Sequence, residues 1–116
     1  MYSITKTIVL GEDLDIAFVI ENEDGIVPSV STYDFTFWID DEEHCPVLAR
    51  TSTAGQITKD QVTDANEPIV SIVILGADLQ PHGEGIYRMG CRYKDSTTGR
   101  TKQLFTGTLI LEEGYP

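Results

Sequence analysis

The sequence predicts an all-β fold: an Ig-like antiparallel β-sandwich of about seven to nine short strands, in a single domain over residues 1–116. Three observations carry this. Runs of strictly alternating apolar and polar residues recur along the chain, each bounded by Gly, Pro, Asn or Asp. No segment sustains a 3.6-residue period; the best helical candidate, Thr58 to Ala65, offers one or two turns at most. The 116 residues, 41% of them hydrophobic, suffice for one core without metal or disulfide staples.

Ile4, Lys6, Ile8 and Leu10 alternate with Thr5, Thr7 and Val9. This predicts an edge strand, with Lys6 discouraging unwanted pairing. Leu14, Ile16, Phe18 and Ile20 give the next strand, over Asp13 to Ile20, an inward face, and Glu21 to Gly25 is a turn cluster. Ile26 to Thr32, holding Pro28, is an extended connection. Tyr33, Phe35, Phe37 and Ile39 then share one face of a strand ending at Asp40, with Trp38 packing on the other side as sandwich core. Val47 to Thr51 and Gly55 to Thr58 are short strands, and Asp60 to Glu67 is a polar connector. Ile69 to Leu75 is apolar on both faces, as a central strand requires. Gly76 to Glu84 is a crossing loop.

The organising stretch is Gly85 to Leu111, a long hairpin. Tyr87, Met89, Cys91 and Tyr93 form its buried face and Arg88, Arg92 and Lys94 its solvent face. Ser96 to Gly99 makes the turn, and Phe105, Gly107, Leu109 and Leu111 return. Tyr87, preceded by Gly85, has the setting of a tyrosine corner, where a hydroxyl ties a loop to the following strand.

Charge is unevenly spread. The net is −11, which opposes nucleic-acid binding by the chain as a whole. Residues 1–49 hold eleven acids and only Lys6, a net of −10. Residues 86–102 hold Arg88, Arg92, Lys94, Arg100 and Lys102 against Asp95, a net of +4. Two contact regions follow: this basic hairpin, and the acidic loop Asp40, Asp41, Glu42 and Glu43. Such complementary patches on opposite sides would dock one copy head-to-tail on the next, or on a protein partner.

Reaction chemistry finds little support. The acidic loop invites calcium, but it lacks the EF-hand spacing and glycine, and consecutive carboxylates do not converge unaided. His44 and Cys45 have no second ligand pair at zinc-site spacing. A thiol nucleophile would need Cys91 or Cys45 beside His44 or His82, yet Cys91 alternates with core residues and no orienting third group marks Cys45. No carboxylate pair stands out for glycoside hydrolysis. Gly83-Glu84-Gly85 lacks the lysine and helix of a phosphate loop. The expectation is a non-enzyme without cofactor or metal. Two free thiols are expected, with a Cys45–Cys91 bridge as the alternative, which points to a reducing compartment. No apolar run approaches the roughly 18 residues of a membrane span, and Met1 to Lys6 does not open a signal peptide.

Four segments carry a resemblance. They are Glu23-Asp24-Gly25-Ile26-Val27-Pro28, Thr53-Ala54-Gly55-Gln56-Ile57-Thr58, Leu79-Gln80-Pro81-His82-Gly83-Glu84-Gly85-Ile86-Tyr87, and Leu104-Phe105-Thr106-Gly107-Thr108-Leu109-Ile110-Leu111. Together they resemble small Ig-like β-sandwich domains of tailed-phage and prophage structural proteins, including the N-terminal domain of some upper baseplate proteins. The resemblance covers about Gly11 to Leu111. It implies a virion or tail-assembly component, in the virion or the bacterial cytoplasm, that works by protein–protein contact and has no active site. The alternative is a carbohydrate- or cell-surface-binding module that uses Tyr33, Phe35, Phe37 or Trp38 as an aromatic platform.

Overall fold

A computed structural model describes residues 2–20, 28–63 and 65–113. Eight strands lie within them: β1 (Tyr2–Val9), β2 (Leu14–Val19), β3 (Tyr33–Asp40), β4 (Pro46–Thr51), β5 (Ile57–Asp60), β6 (Ile69–Ile74), β7 (Gly85–Asp95) and β8 (Thr101–Glu112). They form a five-stranded sheet in the order β1-β8-β7-β3-β4 and a three-stranded sheet in the order β2-β6-β5. Neighbours run antiparallel except β1 and β8, which run parallel from Tyr2↔Phe105 to Val9↔Glu112. The fold is an all-β sandwich.

The core sits between the sheets because the period-2 faces meet there. Phe35, Phe37 and Ile39 of β3, Met89 and Cys91 of β7, and Phe105, Leu109 and Leu111 of β8 face Leu14, Ile16, Ile57, Val70, Ile72 and Ile74. Each large aliphatic or aromatic side chain among them contributes about 1.5–3 kcal/mol on burial. Phe18 meets Phe105 edge-on, with ring centroids 5.4 Å apart. The lone glycine of β8 has a packing reason: a Cβ at Gly107 would overlap the Ile4 carbonyl, so its absence lets β1 close on the sheet.

The β7–β8 hairpin turns where expected, closed by Asp95 N–H to the Arg100 carbonyl (2.8 Å) and Gly99 N–H to the Asp95 carbonyl (2.7 Å). Both cysteines are free, Cys45 exposed and Cys91 buried. The Tyr87 hydroxyl lies 2.8 Å from each of the His82 and Gly83 carbonyls and ties the β6–β7 crossing to β7.

Several expectations are corrected. The described residues from Thr58 to Ala65 are not helical. Thr58 and Lys59 belong to β5, and the Asp60 carboxylate then turns the chain by accepting from Val62 N–H, Thr63 N–H and the Thr63 hydroxyl. The strand expected over Gly55 to Thr58 starts later, at Ile57, because Gly55 (φ 75°) closes the preceding turn. A single helical turn, α1 (Gly76–Leu79), and a 3-10 turn (Gln80–His82) sit instead in the crossing before β7. Another 3-10 turn, Val30–Thr32, ends the connection expected to be extended. Strand β6 is central, but its outer face is uncovered: Val73 is 48% exposed and Leu75, just beyond it, 55%. Trp38 is not in the core; it lies half-buried on the outer face of the larger sheet. The turn cluster Glu21 to Gly25, and Ile26 and Val27 after it, lie outside the described residues.

Candidate interaction face

The outer face of the five-stranded sheet gathers four of the nine residues expected to make contacts: Arg88, Arg92, Lys94 and Asp40. Antiparallel pairing of β3 with β7 sets Asp34 opposite Lys94, Thr36 opposite Arg92, Trp38 opposite Gly90 and Asp40 opposite Arg88. On that face a row of alternating charge therefore brackets one indole. The indole lies across Gly90, where a Cβ would overlap its six-membered ring. The Arg92 guanidinium stands 5.7 Å from the indole centroid, a cation–π distance.

Opposite charges on facing strands attract, yet neither Asp34–Lys94 nor Asp40–Arg88 closes to an ion pair within 4 Å. Exposed pairs of this kind contribute only about 0.2–1 kcal/mol. Arg88 and Lys94 are exposed, and Asp34 and Asp40 are half-buried. Asp34, Thr36, Arg92 and Lys94, with Thr101 of β8, line an open groove of about 430 Å³. Its lining is made of charged and hydroxyl-bearing residues.

The other predicted residues separate. Lys102 pairs with Tyr93, whose phase is inward, so it leaves the Arg88/Arg92/Lys94 face. Arg100 is exposed just past the hairpin turn. In the acidic loop, Asp41 is a scaffold: its Oδ1 accepts from Glu43 N–H (2.8 Å) and Cys45 N–H (2.9 Å), holding a turn in which His44 takes φ 62°. Glu42 and Glu43 are exposed. The strands thus bring Asp40 beside Arg88 on one face, where the sequence suggested acidic and basic patches on opposite sides. The loop and the hairpin turn do lie at opposite ends of β3, about 23 Å apart by strand rise.

Asp34, Thr36 and Thr101 were not among the contact residues expected from the sequence. For the first two the signal was phase: Asp34, Thr36, Trp38 and Asp40 are successive alternate positions on one strand.

The aromatic platform is not assembled. Phe35 and Phe37 are buried between the sheets, and Tyr33 stacks on Tyr93 with centroids 4.3 Å apart and planes 3° from parallel. Burial raises the Tyr93 hydroxyl above its ordinary pKa, with the neighbouring Tyr33 adding to the effect. Burial also pushes the Cys91 thiol up to about 12, which keeps it a neutral core group. Among the described residues, no three of His, Cys, Asp and Glu converge as metal ligands. No described helix is long and apolar enough to cross a membrane.

No known protein-family model matches the chain, and no curated protein matches it.

Proposed function

We propose that this protein is a non-enzymatic structural or assembly module that works by protein–protein contact through the outer face of its larger sheet. The observation that carries the reading is the row Asp34/Lys94, Trp38/Gly90 and Asp40/Arg88, in which no cross-strand ion pair is closed. Charges not closed into ion pairs are available to a partner's opposite charges, and a half-buried Trp flanked by Arg is the side-chain chemistry enriched at interface centres. The resemblance to tailed-phage and prophage baseplate domains supports placing the module in a virion or tail assembly. It also supports residence in the virion or the bacterial cytoplasm.

A contact of this kind weakens with salt, because exposed charges more than a Debye length apart are screened, about 10 Å at 0.1 M. Light scattering after gel filtration, at low and high salt, is expected to show association with itself or a co-purified partner that loosens as salt rises. Arg92→Glu should abolish it. Absence of any association that both salt and Arg92→Glu weaken would overturn the role of this face.

A second reading is favoured by one observation: Trp38 is on the surface, next to a polar groove, instead of in the core. An aromatic edge beside charged and hydroxyl groups suits a saccharide. Quenching or a shift of Trp38 fluorescence by soluble glycans would support that alternative.

A further inference from the structure

Each sheet of an open sandwich has two edges, and unpaired backbone there invites another strand. Three of the four edges formed by the described strands carry a cation at an inward-phase position. On β1, Lys6 pairs with Leu109, which is fully buried, so Lys6 occupies the inward phase. On β4, Arg50 pairs with buried Phe37 and reaches Asp78 at 3.0 Å. On β5, Lys59 pairs with buried Val70 and donates to the Tyr33 carbonyl at 3.0 Å. An added strand would have to bury these charges. Pro46 and a register shift between Ile39 and Asp40 blunt β4 further, and β5 is only four residues long.

The fourth edge, β2, has no such guard. Its inward residues are Leu14, Ile16 and Phe18. It is straight-registered on β6 from Leu14↔Ile74 to Val19↔Ile69, without proline or bulge. Because the chain crosses to the other sheet between β1 and β2, β6 is the only described strand paired with it. The direction of its free groups follows from one bond. Ile20 N–H donates to the Pro68 carbonyl at 3.0 Å, so the even-numbered residues face β6 and Asp15, Ala17 and Val19 aim their N–H and C=O groups outward. The outer face beside this edge carries exposed Val19 (46%) and Val73 (48%) with Ala17, next to Asp15 and Ser71.

We propose that β2 is a strand-pairing edge whose occupant is β2 of a second copy, in an antiparallel two-fold centred on Ala17. That register places Ala17 against Ala17, Asp15 against Val19 and Ile16 against Phe18. It keeps inward side chains on the inner face of both copies and sets no like charges directly opposite. It uses all three outward-facing residues of each strand and makes one six-stranded sheet from two three-stranded ones. A contact between identical patches closes on itself, so assembly through this edge stops at the dimer. The idea rests on the assembly reading only in that both require protein contact. Its surface is different, and its bonds are backbone and apolar, so salt does not weaken it.

The test measures solution mass against concentration, at low and high salt, for the wild type, Ala17→Pro and Arg92→Glu. Pro at position 17 removes an outward N–H and leaves the β2–β6 ladder intact. The expected result is a doubling of mass with concentration at both salt levels, kept by Arg92→Glu and lost by Ala17→Pro. As a check independent of folding losses, Ala17→Cys in a Cys45→Ser background should form a symmetric disulfide dimer on mild oxidation. A paired-residue Cα separation of about 5.5 Å suits that bridge. A monomer at every concentration, with no cross-link formed by the Ala17→Cys variant, overturns the inference. Association that is wholly salt-sensitive, lost entirely in Arg92→Glu and unchanged in Ala17→Pro, also overturns it, while leaving the charged-face reading standing.

Discussion

Tyr87 does at one residue what a longer loop would otherwise leave undone. Its ring is buried at the start of β7, and its hydroxyl reaches back to the carbonyls of His82 and Gly83, five and four residues upstream. Removing the hydroxyl leaves those carbonyls without it, so Tyr87→Phe is expected to cost about 1–2 kcal/mol in chemical denaturation. An unchanged midpoint would show that the corner is ornamental. Gly90 is the second such position. Since a side chain there meets the Trp38 ring, Gly90→Ala should lift the indole off the sheet. The expected readout is a shifted Trp38 emission maximum with about 1–3 kcal/mol lost to overpacking. An unmoved spectrum would mean the ring has another resting place. Phase alone puts Trp38 on the polar face with Asp34, Thr36 and Asp40, whereas its apolar bulk suggested the core, and the fold follows the phase. Its partner was not legible in the sequence: Gly90 is distant along the chain, and only strand register joins the two.

Elements were read well where a period runs long enough to count. Strands β1, β2, β3, β4, β7 and β8 follow the sequence runs closely, and β6 was read from its continuous apolar character. Short elements escape this logic. The four residues of α1 span barely one turn, so Gly76–Leu79 has no periodicity to detect. Its position comes from tertiary contact: Gly76 N–H donates to Asp13 Oδ1 at 2.7 Å, and Gly76 lacks a Cβ that would overlap the Gly11 carbonyl. The boundary of β5 is set by the Asp60 side chain. Hydrogen bonds from Thr63 and Val62 hold that carboxyl below its ordinary pKa. Residue type announced a polar connector there, but not which carboxylate would turn the chain. The candidate face divides the same way. Arg88, Arg92 and Lys94 share a strand and were legible together, whereas pairing with Asp34 and Asp40 depends on which strand lies next to β7, a fact of topology.

At the scale of the whole molecule, the buried titratable groups set an alkaline limit. The Cys91 thiol is raised to about 12 by burial, and the Tyr87 and Tyr93 hydroxyls are raised chiefly by burial. An acid whose folded pKa lies above its unfolded value stabilises the fold fully below the unfolded value and loses that contribution as pH rises. Unfolded chains shed these protons from roughly pH 9 to 10 upward, while the folded protein holds them. Stability is therefore expected to fall from about pH 9 toward pH 12, with Cys91→Ala flattening the first part of the slope. Thermal melts that stay level through that window would contradict the burial of these groups.

The parallel pairing of β1 with β8 has a mechanical consequence. Force applied before Tyr2 and after Glu112 pulls these strands in opposite directions along their own length. The whole register from Tyr2↔Phe105 to Val9↔Glu112 is then loaded at once, in shear. Pulling Gly85 away from Leu111 at the open end of the hairpin instead peels one pair at a time. Single-molecule stretching should therefore rupture the fold at clearly higher force through the first geometry than through the second, and equal forces would show that β1 does not bear the load.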